Sequence, residues 1–121
     1  MPLVRVSGNQ LVGSDDKPVH LGMLRYEIKK TIKSMPELGI TDDGGITCHF
    51  LGNMLEGDSD GTIIVEVVGL FDKPERTPQV RQALADALVQ VVKARVREAR
   101  LIQCFVSSFN PEQGFAEYRK K

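Results

Sequence analysis

Pro2 carries the most distinctive chemistry in this sequence. A small residue after the initiator permits removal of Met1, which leaves proline's secondary amine as the chain terminus. An α-amino group titrates near pH ~8, and burial in an apolar pocket lowers that value. Such a nitrogen takes and returns protons near neutral pH without help from histidine or carboxylate. If Met1 stayed, the nitrogen would be an amide and its basicity would be gone. The expectation of a catalytic Pro2 therefore includes the loss of Met1.

A second group of candidates lies in Lys73-Pro74-Glu75-Arg76-Thr77-Pro78. Thr77 is a hydroxyl N-cap and Pro78 a first-turn proline, so a helix starts here. A guanidinium beside the free N–H groups of a helix start makes an anion site, and arginine grips a carboxylate through paired hydrogen bonds. Arg76 is the expected anion ligand and Lys73 a second cation in the same loop. A solvated loop charge is the competing reading of Arg76. His49, between Cys48 and Phe50, is a further substrate-binding candidate, with a structural histidine as its alternative. His20, Asp15, Asp16, Asp42 and Asp43 read as surface groups. Arg5 and Glu66 can pair across a sheet or line a pocket.

No Gly-x-Gly-x-x-Gly, phosphate-loop glycine run, metal-ligand cluster or Ser-His-Asp arrangement occurs, so neither cofactor nor metal is expected. Cys48 and Cys104 lack zinc-site spacing and lie in apolar strand-like runs. They read as buried reduced thiols, which suits the cytoplasm. Sixteen basic and sixteen acidic side chains give zero formal charge, which argues against a general nucleic-acid or membrane-surface partner. No apolar run reaches the length of a bilayer span, and the start of the chain lacks the pattern of a signal peptide.

The elements that must position these residues follow from apolar spacing. Leu3–Val6 is a short strand, and the polar, glycine-bearing stretch 7–18 is a loop. Leu21, Leu24, Ile28, Ile32 and Met35 recur at three and four, which predicts a helix closed by Pro36 and Gly39. Asp42-Asp43-Gly44-Gly45 is a turn before a strand at Ile46–Leu51, which can extend to Leu55. Residues 56–61 turn again into Thr62–Leu70, the most apolar strand, expected to be central and covered on both faces. The second helix carries Val80, Ala83, Leu84, Ala87, Leu88 and Val91, with Arg95, Arg97 and Arg100 toward its far end. Leu101–Phe109 is the last strand.

The order is β-α-β twice. Residues 2–8 align with residues 63–69 at a constant offset of 61, which also carries the first helix onto the second. This predicts an α+β fold in one domain of 1–121. Residues 1–56 and 62–110 form two fused β-α-β units, and 111–121 a tail. The units build a four-stranded mixed sheet with two helices on one face. The other face is left bare, and a symmetric oligomer would cover it.

From Pro2 to about Asn110 the sequence resembles the tautomerase superfamily, in layout most the 5-carboxymethyl-2-hydroxymuconate isomerase group. The likeness rests on Pro2 opening a strand, on the run 61–70 followed by Glu75-Arg76-Thr77, and on the helix at Gln82-Ala83-Leu84. It implies a homotrimer with its sheets facing inward, Pro2 moving protons in a keto–enol or unsaturated carboxylate substrate, and Arg76 holding the carboxylate. Pro74-Glu75 departs from the usual glycine, and Thr47-Cys48-His49 stands where relatives often have arginine, so His49 is a substitute ligand. A hydrating or dehalogenating version would need a further group such as Glu112, Glu117 or Tyr118. The non-enzyme alternatives are a ferredoxin-like small-molecule-binding module and a catalytically silent trimer.

Overall fold

Alternating apolar residues in the strands bury one side of a sheet, and two amphipathic helices supply the cover. The computed structural model describes residues 2–8, 11, 19–52 and 61–120. In chain order the elements are β1 (Leu3–Ser7), α1 (Leu21–Lys33), β2 (Thr47–Leu51), β3 (Thr62–Phe71), α2 (Pro78–Arg95) and β4 (Leu101–Phe109). Short 3-10 turns at Pro36–Leu38 and Asp43–Gly45 join α1 to β2. Met1, most of the loop 7–18, the strand extension to Leu55 and the turn before Gly61 lie outside the described residues.

The sheet order is β2-β1-β3-β4. Both outer pairs are parallel, and the central pair β1–β3 is antiparallel. Val4, Val6, Ile63, Val65 and Val67 point to the helix side and are buried. Leu24, Ile28 and Ile32 of α1 meet them there, as do Leu84, Leu88 and Val92 of α2. Close packing of this layer is the chief source of stability, each aliphatic side chain contributing about 1.5–3 kcal/mol on burial. Glu27 of α1 accepts hydrogen bonds from Arg95 of α2, tying the helices together.

The opposite face is uncovered by this chain. Leu51, Leu101 and Phe105 are 48–57% exposed on it, and Ile64, Glu66 and Val68 of β3 are half-buried. The expectation that β3 is covered on both faces thus fails within one chain. Arg5 stands opposite His49 on one side and Glu66 on the other. It makes no ion pair with Glu66 among the described residues, and its Nε is buried without a hydrogen-bond partner.

The duplication is real in outline and slips in detail. The buried strand residues Val4 and Val6 correspond to Val65 and Val67, an offset of 61, whereas Leu24, Ile28 and Ile32 correspond to Leu84, Leu88 and Val92, an offset of 60. Val92 therefore takes the buried place expected of Val91. Thr47 and Gln103, which face Leu3 and its counterpart Ile64, are only 56 apart. The first helix-to-strand connection, residues 34–46, is longer than the second, residues 96–100, and it holds the two 3-10 turns.

Cys48 and Cys104 are free and half-buried. Burial pushes both thiols up, against the opposing fields of Lys29 and Arg25 at Cys48. Cys104 rises to about 11, the Asp86 carboxylate adding to the effect of burial. An unfolded chain therefore loses this proton first, near its ordinary value of 9.0. Stability contributed by the neutral thiol is intact below that pH and declines as pH rises toward 11. Urea midpoints measured across this window should fall, and Cys104→Ala should flatten the slope.

Candidate active site

The site forms where β1 begins and β3 ends, a juxtaposition that follows from their antiparallel pairing. Leu3 faces Val68, so Pro2 falls beside Gly69. Here β3 departs from regular register between Val67 and Leu70, and Gly69 takes a φ of 75°, in the left-handed region that favours glycine. On its other side Pro2 is held by β2, its carbonyl accepting from the Thr47 N–H at 3.2 Å. Pro2 is buried.

A cavity of about 310 Å³ opens over this point. Pro2 and Gly69 line it from the sheet, Lys73 and Arg76 from the β3–α2 connection, and Gly39–Asp42 with Gly45 from the α1–β2 connection. The extra residues of the first unit thus form part of the cavity wall. The fold brings together three of the four expected site residues, Pro2, Lys73 and Arg76. His49 is not among the lining residues. It lies exposed in β2 on the bare face of the sheet, because alternation sends it to the side opposite Cys48.

Arg76 is buried rather than solvated. It is neither a solvated loop charge nor free to clasp an anion through its whole fork. The residue is 7% exposed. Its Nε and Nη2 donate to the Leu38 carbonyl at 3.2 and 2.6 Å, and its Nη1 donates to the Phe71 carbonyl at 2.8 Å. These use three of the five N–H bonds of a guanidinium. The helix start beside Arg76 is capped, Thr77 Oγ1 accepting from the Val80 N–H at 3.2 Å. Its own backbone is fixed by Arg81, whose Nη1 donates to the Arg76 carbonyl at 2.7 Å.

Burial pushes the pKa of Arg76 down, opposed by the Glu75 carboxylate. Glu75 is exposed and does not line the cavity. No carboxylate lies in ion-pair range of Arg76 among the described residues. A charged group held by carbonyl dipoles in a low-dielectric setting leaves a positive field in the cavity, which favours an anionic ligand. Lys73 is exposed and adds to that field from the rim.

Phe71, whose carbonyl receives Arg76, is itself braced by aromatic contacts. The Phe115 ring meets it edge-on with centroids 4.9 Å apart, and Phe109 lies at 6.3 Å. The tail thus supports the site from behind. Glu112, Glu117 and Tyr118 are exposed in that tail and line no part of the cavity. The carboxylate at the cavity wall is Asp42, which the sequence had marked as surface. Its Oδ1 accepts from the Gly44 N–H at 3.0 Å, shaping the second 3-10 turn. The Asp-Asp-Gly-Gly run signalled a turn, and nothing local linked that turn to Pro2. No cluster of three or more His, Cys, Asp or Glu suited to a metal occurs among the described residues.

No family model matches the sequence, and no curated protein matches it. Solved structures do match. A 5-carboxymethyl-2-hydroxymuconate isomerase from Deinococcus radiodurans R1 is similar with a TM-score of 0.67 at 15% identity, over 98% of this chain and 90% of that one. A fused 4-OT symmetric trimer gives 0.64 at 16% identity, over 89% and 85%. A member of the cis-3-chloroacrylic acid dehalogenase family gives 0.63 at 14%, over 98% and 81%. The chain has the fold of the tautomerase superfamily. Among the described residues no helix is long and apolar enough to cross a membrane.

Arg76→Ala removes the donors from two carbonyls that it joins and should destabilise the protein by about 3 kcal/mol. Arg76→Lys keeps the charge without the planar fork and should fall between the two. Urea unfolding of the three proteins measures the order. Gly69→Ala, which forces a side chain into the left-handed region, should lose about 1–2 kcal/mol in the same assay.

Proposed function

We propose that the protein is a cofactor-independent tautomerase or isomerase in which Pro2, freed by loss of Met1, transfers a proton within a small keto–enol or unsaturated carboxylate substrate. The observation that carries this reading is the burial of Pro2 against a cavity that also receives Arg76 and Lys73. A secondary amine in that position takes a proton from a carbon next to a carbonyl, becoming a cationic ammonium. The substrate is then an enolate, or a dienolate where a double bond is conjugated. Return of the same proton to a different atom gives the isomer, with no net change in charge or composition. The two N–H bonds that Arg76 has to spare, together with the Lys73 ammonium, suit the substrate's carboxylate.

We further propose that the protein works as a homotrimer in the cytoplasm. The uncovered sheet face, with Leu51, Leu101 and Phe105 exposed, supports burial against other copies. A fused 4-OT structure of the same fold is itself a symmetric trimer. Sedimentation at micromolar concentration should give three times the chain mass.

Intact-mass measurement of the purified protein should show a chain shorter by Met1. Phenylpyruvate ketonisation should then be catalysed by the wild type and reduced at least ~100-fold in Pro2→Ala, the lower end of the range for loss of a positioned base. Equal activity in both proteins would remove Pro2 from the mechanism. Lys73→Ala leaves the buried hydrogen bonds of Arg76 in place. It should raise KM for a carboxylate substrate about tenfold, with kcat little changed.

A further inference from the structure

The outer side of α1 carries a concentration of positive charge that neither the fold nor the Pro2 cavity requires. Arg25, Lys29, Lys30 and Lys33 line a groove of about 440 Å³ together with Gly22, Tyr26 and Asp43. Four cations therefore face one carboxylate, in a chain whose formal charge is zero. Glu27, the acidic residue of α1, is taken up by Arg95 on the side facing α2.

Helix chemistry explains only part of this pattern. Lys30 and Lys33 suit the last turn, where cations complement the helix dipole. Arg25 lies near the other end, and the first turn holds no acid. Arg25–Lys29 and Lys29–Lys33 are like-charged pairs four residues apart, an arrangement that weakens a helix unless something neutralises it. The side chains of Arg25 and Lys30 make no hydrogen bond or salt bridge among the described residues.

One end of the groove already holds an anion of the protein's own. The Asp43 carboxylate pairs with Lys33, and its backbone carbonyl accepts from Lys29 Nζ at 3.5 Å. The Lys33 hydrogen bond holds the Asp43 carboxyl below its usual range, the mark of a site that stabilises negative charge. The rest of the groove runs from Lys29 to Arg25, past an exposed Tyr26, and ends at Gly22, where no side chain blocks it. Arg25 to Lys33 spans about 12 Å along the helix, and successive cations of the row rise about 6 Å. That spacing suits an elongated ligand with several charges better than a single phosphate.

We propose that this groove binds a small, multiply charged anion carrying two or three linked phosphate groups. The cations of α1 bind the phosphate oxygens and Asp43 marks the end of the site. This site is separate from the Pro2 cavity and independent of the reading given to it. The two share a wall, since Asp42 and Gly45 line the cavity while Asp43, between them, lines the groove.

Titration calorimetry of the full chain with tripolyphosphate, and with orthophosphate at matched ionic strength, tests this. The wild type should bind tripolyphosphate saturably and orthophosphate much more weakly. Arg25→Gln combined with Lys29→Gln should weaken tripolyphosphate binding at least about tenfold, while Lys93→Gln on the exposed end of α2 should leave it unchanged. Asp43→Asn, which removes the internal anion, should tighten binding severalfold. The proposal is overturned if the wild type shows no saturable binding, if Lys93→Gln weakens it as much as the double substitution, or if Asp43→Asn leaves it unchanged or weaker. Stronger binding of a short single-stranded oligonucleotide than of tripolyphosphate would also overturn it, in favour of a nucleic-acid partner.

Discussion

A guanidinium removed from water needs acceptors, and Arg76 finds them in the carbonyls of Leu38 and Phe71. Leu38 belongs to the first 3-10 turn after α1, and Phe71 is the last residue of β3. One side chain thus joins the two β-α-β units at the point where their connections meet. The cavity beside Pro2 lies between these connections, so its shape depends on the same three hydrogen bonds. Loss of a buried charged donor leaves two carbonyls without partners, which is more costly than the loss of a surface contact. The acceptors are carbonyls rather than a carboxylate, so Arg76 reaches the cavity with its charge unpaired by any carboxylate within ion-pair range among the described residues. In the function proposed above, structural and ligand-binding roles therefore fall on one residue.

The departures from strict duplication are concentrated around this point. Both units bury a strand and a helix in the same way, and in both an outer parallel strand follows the helix. The first unit inserts extra residues between helix and strand, and these provide Gly39–Asp42 and Gly45 at the cavity. In the second unit the corresponding connection is short, and Arg100 and Leu101 donate directly to the Gly61 carbonyl. A duplicated scaffold with one long connection is thereby asymmetric enough to build one cavity around Pro2. The Asp43–Gly45 turn, which borders both that cavity and the cationic groove of α1, belongs to the same insertion.

Much of the fold was legible in the sequence because it depends on periodicity. Leu24, Ile28 and Ile32 recur at the spacing of a helix face, and Val4, Val6, Val65 and Val67 alternate as a strand does. Thr77-Pro78 marked the start of α2, and the hydrogen bond from Val80 to Thr77 matches that local chemistry. The slip from an offset of 61 to 60 between the strands and helices was not legible. It is a one-residue difference in strand-to-helix spacing, 18 residues from Val6 to Leu24 against 17 from Val67 to Leu84, and either offset leaves short apolar runs in good agreement. His49 shows the same limit from another side. Its chemistry made it a candidate, but the face on which it lies follows from the register of β2 against β1.

By itself the sequence determined the element order, the apolar faces and the proline at the start of β1, since these depend on neighbouring residues. Tertiary structure alone decided that Arg76 is buried, that Leu38 and Phe71 supply its acceptors, and that Asp42 rather than the tail carboxylates lies at the cavity. Leu38 and Arg76 are 38 residues apart, and no local pattern records that they meet. Pro2 reaches Gly69 and Arg76 because an antiparallel pair places the beginning of one strand beside the end of another. That pairing is a long-range property, set by how the whole apolar layer packs.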